Sequence, residues 1–429
     1  MEGGQAGRHP HVRPGPWRWR DRFLCDGGTT SAGPRYVDGR RRGGVLPGGR
    51  GHASGGAAGG LRGQGRQPHR GSRHVVPELA QTQIETIGGV CADARELRAE
   101  TDRLRQCAAR AAREVGCLLV ACGTVPLGDP GPPPVLDRPR YHTIAARFGS
   151  VLNHLCVNAC HVHVGVPDRE EAVQVVNHLR PWLPLLLSLT ANSPFVHGRD
   201  TGHASWRTML WDRWPTAGPP PRLRSVDHYE QLVATLVDSG AAVDPAMVYW
   251  SARPSRHVPT VEVRAADVLP DTADTVAFAL LVRALVASVL ADVRGGVPAP
   301  GPEDAVLRAA VWRAARHGMS GRTLALPLPD PTRSVPVWQL AEHLVGRVEE
   351  HLRAAGDLDT VRQWFARLRA QGTGADRQRA AFQRHGGLQG VVDLLAVPVR
   401  EAADRPADLV GGDGPPGAAP PSTTVVRGP

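Results

Sequence analysis

The sequence contains no lysine; all 51 of its basic residues are arginine. Arginine, glycine, alanine and proline without lysine reflect a coding sequence rich in G and C rather than selection for a basic surface. The formal charge of +10 is also unevenly placed. Residues 1–74 carry fourteen arginines and four acidic residues, which leaves 37 of each sign in the remainder. The body of the chain is therefore neutral, and a surface that tracks nucleic-acid phosphates is excluded. Cysteine is sparse, seven residues with no CxxC pair, so neither a disulfide framework nor a zinc ribbon is encoded. Reduced thiols and a cytoplasmic location are expected. No run of about 18 uninterrupted apolar residues and no opening signal peptide occur, so no membrane partner is expected. Leu183–Leu189 is apolar but short, with Pro181 and Pro184 at its start, as in a core helix. Glycines with phosphate-loop or dinucleotide-fold spacing are also lacking.

What is present is alternation. Cys160-His161-Val162-His163-Val164-Gly165-Val166 and Thr260-Val261-Glu262-Val263-Arg264 each switch polar and apolar residues with a period of two. Successive side chains of a strand leave on opposite faces. His161 and His163 therefore share a face, as do Glu262 and Arg264, and the valines point into a core. Buried imidazole, carboxylate and guanidinium groups need partners, so a polar face of this kind fits a wet pocket for metal and phosphate.

Residues 1–74 hold twenty glycines and no sustained periodicity, the pattern of an atypical arm that is disordered or translated out of frame. Order begins at Val75. The expected elements are a strand over 81–85, a helix over 92–116, a strand over 118–121 and a helix over 141–155. The strand of the histidines comes next, at 156–166. Helices are then expected at 168–179, 182–190, 228–239, 272–293, 303–316, 335–354, 357–371 and 374–395, with strands at 247–250 and 258–267. One folded body spans 75–400, and 401–429 reads as a disordered Pro/Gly tail. The loop over 192–221, rich in Gly, Pro and Trp, is too long to be idle.

Each site has a plainer alternative. Two histidines on one strand face could bind a transition metal or donate N–H groups to phosphate; the spacing alone does not choose. Glu262 and Arg264 form either an edge-strand salt bridge or a carboxylate on Mg²⁺ beside an arginine on phosphate. Glu78 and Glu85 lie either on a solvated face or in the same site.

The motifs PELAQTQIE (77–85), CHVHVGVPD (160–168), the stretch from Arg180 to Pro220, DPAMVYW (244–250) and PTVEVRAAD (259–267) together resemble the type 2 glutamate–cysteine ligase family of carboxylate–amine ligases. That resemblance implies an α+β, glutamine-synthetase-like fold, a curved antiparallel sheet with helices packed behind it. It implies ATP and Mg²⁺ as cofactors, glutamate with cysteine or another small amine as substrates, and an acyl phosphate intermediate. Glu78, Glu85 and Glu262 would hold Mg²⁺, and Arg264 would touch phosphate. His161 and His163 would line the sheet, Arg207 would anchor substrate, and Asn192 and Ser193 would contact the nucleotide. The departure is at the front, where the family has an acidic GVEEEF strand. Here residues 17–27 read WRWRDRFLCDG, and only Phe23-Leu24 and Asp26-Gly27 echo the family residues just after the acidic run. Weak activity is therefore expected, or a catalytically inactive homologue that binds nucleotide or amino acid. A zinc hydrolase built on the histidine pair lacks a third ligand. The sequence leaves open whether the chain forms a homo-oligomer.

Overall fold

The two alternating segments lie side by side. A computed structural model describes residues 17–26, 75–128, 131–153 and 155–400. Seven antiparallel strands form its main sheet. They are β1 (Trp17–Asp26), β2 (Val75–Pro77), β3 (Gln83–Ile87), β4 (Leu118–Val120), β5 (Ala159–Gly165) and, beyond a small hairpin of β6 (Phe195–Val196) and β7 (Arg199–Asp200), β8 (Ala252–Pro254) and β9 (Thr260–Asp267). The order is β2-β3-β1-β5-β9-β8, and β4 also pairs with β1. A second hairpin joins β10 (Arg322–Leu324) to β11 (Ser334–Pro336).

Twelve α-helices lie among the described residues. They are α1 (Ala94–Glu114), α2 (Pro139–Phe148), α3 (Arg169–Leu179), α4 (Leu183–Thr190), α5 (Trp206–Trp211), α6 (Val226–Asp238), α7 (Thr272–Arg294), α8 (Asp304–His317), α9 (Val337–Ala354), α10 (Leu358–Gln371), α11 (Gly374–His385) and α12 (Leu388–Leu395). Three of them begin with the same device. Asp93, Asp168 and Asp271 each accept a hydrogen bond from the backbone N–H three residues on, satisfying a donor that the first helical turn leaves open.

Period two decides the layering. Val162, Val164, Val261 and Val263 are fully buried and join Val173, Val176, Phe278 and Leu281 in the main core. The helices therefore stack on the valine face and leave the polar face of β5 and β9 to the site. Helix α7 is long and apolar enough to cross a membrane, but 83% of its apolar window is buried within the fold, as in a core helix.

Most boundaries fall where periodicity places them. Four do not. The strand expected over 247–250 does not form: Pro245–Met247 make a 3₁₀ turn capped by Asp244, and only an isolated bridge follows at Trp250. The helix expected over 374–395 is broken at Gly386, whose φ of 66° is left-handed. Residues 141–155 end their helix at Phe148 and continue as a 3₁₀ turn. The largest correction concerns the arm over 1–74. Trp17–Asp26 form a ten-residue strand at the centre of the sheet, paired with β3, β4 and β5. The remainder of the arm and the tail over 401–429 lie outside the described residues.

Candidate functional site

Strand register aligns the polar residues. Arg18 of β1 is opposite His163 of β5, His163 is opposite Glu262 of β9, and Glu262 is opposite Arg253 of β8. One line across four strands thus holds one carboxylate among three basic residues. On the neighbouring line Arg20 is opposite His161. Beyond it Arg22 is opposite Glu85 of β3.

Glu262 is the centre of this array and is 2% exposed. Its Oε1 lies 2.5 Å from Arg264 Nη1, and its Oε2 accepts a 2.8 Å hydrogen bond from Arg253 Nε. His161 Nδ1 and His163 Nε2 each stand 3.5 Å from Oε1. The other ring nitrogen of His163 meets Thr260 Oγ1 at 3.0 Å. Burial pushes the Glu262 carboxyl up, but Arg264, Arg253 and the His163 ring outweigh it and hold the group well below the usual carboxylate range. Glu262 is thus an anion neutralised by arginines.

A second buried carboxylate ends the same strand. Asp267 accepts from the Asn192 backbone N–H at 2.8 Å, Ser193 Oγ at 2.6 Å, Ser205 Oγ at 2.9 Å and Arg207 Nε at 2.6 Å. Arg207 Nη2 also donates to the Ala265 carbonyl at 2.7 Å. Asn192 Nδ2 holds the Ala121 and Val268 carbonyls. A Cβ on Gly123 would come within 2.9 Å of Asp267, so the close approach of this loop requires glycine. Asn192 and Ser193, expected at the nucleotide, do not line the main cavity over the sheet. Both are fully buried, and both tie the long loop to the end of β9. Arg207 lines small crevices beside His161, Arg264 and Trp211 rather than the main cavity.

A cavity of about 250 Å³, the main one over the sheet, opens over its polar face. Arg140, Arg253, Arg256, His257 and Arg264 supply a cationic part of its lining, and Tyr141, Trp211, Trp214 and Tyr249 an aromatic part. The aromatic residues pack on one another: Trp211 and Tyr249 have ring centroids 4.7 Å apart, and Phe148 backs Trp214 at 4.9 Å. Asp244 sets the cavity rim. It holds Arg140 Nε at 2.6 Å and Nη2 at 3.1 Å while capping its own turn. The Arg140 hydrogen bond keeps the Asp244 carboxyl below its ordinary value.

Of the residues expected from sequence, Glu78, His163, Glu262 and Arg264 line this cavity. His161 is adjacent, and Glu85 is buried on β3. The magnesium set is not assembled. Mg²⁺ requires oxygen ligands at about 2.0–2.1 Å in near-octahedral array, whereas both Glu262 oxygens are engaged by guanidinium groups. Among the described residues no group of three or more His, Cys, Asp or Glu could hold a metal ion. The residues present do not fit the metal. Sequence reasoning misses Arg253 and the aromatic lining. A three-residue edge strand shows no period, although Arg253 does alternate with the buried Ala252. The tryptophans do mark their loop as functional.

Comparison with known proteins gives the same fold and a family. The profile of glutamate–cysteine ligase family 2 (GCS2) matches residues 47–393. A Saccharopolyspora erythraea protein, provisionally named glutamate–cysteine ligase 2-1, is 48% identical over 75% of this chain and 85% of its own length. A relative from Mycobacterium sp. (strain KMS), provisionally named glutamate–cysteine ligase 2-2, is 47% identical over 74% of this chain and 87% of its own. Among solved structures, a glutamate–cysteine ligase from Francisella tularensis in complex with AMP superimposes with a TM-score of 0.60 at 13% identity, covering 75% of this chain and 80% of that one. A bifunctional glutathione synthetase from Pasteurella multocida gives 0.59 at 13% identity, over 89% of this chain and 52% of that one.

Proposed function

Because the chain belongs to glutamate–cysteine ligase family 2, we propose that it is an ATP-dependent carboxylate–amine ligase whose turnover is weak. In the proposed reaction a glutamate γ-carboxylate oxygen attacks the γ-phosphorus of ATP and ADP leaves. The nitrogen of cysteine or another small amine then attacks the acyl carbon and phosphate leaves, giving a γ-glutamyl amide. Such chemistry depends on holding reactants in line and neutralising charge more than on a protein nucleophile. The observation that carries the reading is the Arg253–Glu262–Arg264 cluster with His163 in the lining of a cavity that also holds Tyr141, Trp211, Trp214 and Tyr249, His161 standing beside it. The cationic part of the lining suits phosphate and carboxylate oxygens, and the aromatic part suits a ring or an apolar side chain. Nucleotide binding is supported by the AMP complex of the Francisella tularensis structure. Weak turnover is supported by the arginines that alternate along β1 where the family resemblance calls for acidic residues. The saturation of Glu262 by two arginines favours a second reading, a homologue that binds nucleotide and amino acid without catalysis. Incubation with ATP, glutamate and a panel of small amines separates the two. Glutamate-dependent release of ADP with γ-glutamyl product, well below about 1 s⁻¹, is expected of the ligase. Binding without any product establishes the second reading, and a rate of about 1 s⁻¹ or faster overturns the expectation of weakness. A cytoplasmic setting agrees with the reduced cysteines and is part of the same proposal.

A further inference from the structure

We infer that this chain binds its nucleotide without magnesium, the arginines of the sheet neutralising the phosphates in place of a divalent cation. The inference rests on the nucleotide-binding reading above and adds how the charge is met. The cavity over the sheet is lined by four arginines, Arg140, Arg253, Arg256 and Arg264, and by two carboxylates, Glu78 and Glu262. Those six groups sum to two positive charges. A divalent cation placed there would add to a positive excess, whereas a nucleoside diphosphate would cancel it.

The local geometry points the same way. To take an oxygen of Glu262, a metal would have to evict Arg264 or Arg253, whose contacts lie at 2.5 and 2.8 Å. The evicted guanidinium would remain in a nearly dry pocket, since Arg264 is 6% exposed. Leaving such a charge without its partner is costly. Phosphate exacts no such exchange. A guanidinium presents five N–H donors in a fork, enough to serve a carboxylate on one edge and a phosphate on another. Arg140 and Arg256 continue the cationic lining, each also engaged with a neighbouring carboxylate.

The test is calorimetric titration of the full chain with ADP, once in EDTA and once in excess magnesium chloride. Magnesium screens the diphosphate from the arginines, so affinity in EDTA should equal or exceed that in magnesium by up to about tenfold. Binding that is tenfold or more tighter with magnesium overturns the inference and leaves the nucleotide reading intact. Absence of binding in both arms sinks the nucleotide reading itself, and the inference with it. Glu262→Gln gives an independent arm. A metal ligand turned into an amide would cost affinity in magnesium, whereas removing a negative charge from an anion site should hold or raise affinity both in magnesium and in EDTA, with circular dichroism confirming the fold. Should that variant fail to fold, manganese titration of the wild-type chain followed by electron paramagnetic resonance decides the matter. Only free manganese is expected, and a protein-bound signal contradicts the proposal.

Discussion

Two buried carboxylates on one strand do opposite jobs. Asp267 is fully buried and meets four donors, so it anchors. Asp267→Asn leaves Arg207 charged and buried beside a neutral amide. A loss of about 3–5 kcal/mol is expected, read from urea unfolding, and a change under about 1 kcal/mol would show that the serines and Asn192 suffice. Glu262 faces the cavity, and its effect depends on pH. Its folded pKa lies well below the ordinary 4.5. The ionised form therefore stabilises the fold fully above pH 4.5, and this contribution is lost as pH falls through the folded value. Asp274 and Asp357 are pushed up by burial and act in the opposite sense, so wild type must be compared with Glu262→Gln. The stability gap between them should be widest near neutrality and narrow below about pH 4; a gap independent of pH rejects the assignment. The period of two makes this face legible from the sequence alone. The contacts of Asn192 and Ser193 are not legible, because a polar loop reads as a binding loop until its partner is seen. That partner, Asp267, lies 75 and 74 residues further on.

At the scale of elements, β1 shows what local pattern conceals. Read alone, Trp17–Asp26 alternates arginine with aromatic and acidic residues inside a glycine-rich arm and resembles a solvated segment. Its pairing is entirely non-local, with His161 and His163 more than a hundred residues away on one side and Glu85 on the other. Helices α1, α3 and α7 are legible because their caps and spacing lie within a few residues. The break after α11 is not, because a single left-handed glycine decides it. The central place of β1 reverses what composition implies for a chain shortened to begin at Val75. Composition says that deletion exposes nothing. The register says that it opens the sheet between β3 and β5, leaving two unpaired edges where one strand had joined them. The shortened chain should melt lower by about 10 °C or more, or fail to unfold cooperatively. An unchanged melting temperature would show that β1 adds nothing to the sheet.

For the whole molecule, charge and fold have separate origins. The neutral body from Val75 onward holds the core, the cavity and Glu262, whereas the excess positive charge lies in residues 1–74, from which β1 brings three arginine positions to the middle of the sheet. Backbone pairing is indifferent to side-chain charge, so a strand with arginine at alternate positions can hold the centre of the sheet. The proposed magnesium-free binding is not indifferent, since it needs a face that gathers anions rather than cations. Changing the sign of those positions is the strongest test of that proposal. Arg20→Glu with Arg22→Glu alters positions opposite His161 and Glu85 and makes the charge carried at those two positions more negative by four. That double variant should acquire nucleotide binding that magnesium strengthens by about tenfold or more, together with faster glutamate-dependent ADP release. The charge reversal acts on the metal, so the gain should vanish in EDTA. Stronger binding that persists in EDTA, or no gain at all in a variant that folds as wild type, would show that β1 does not set the charge of the site.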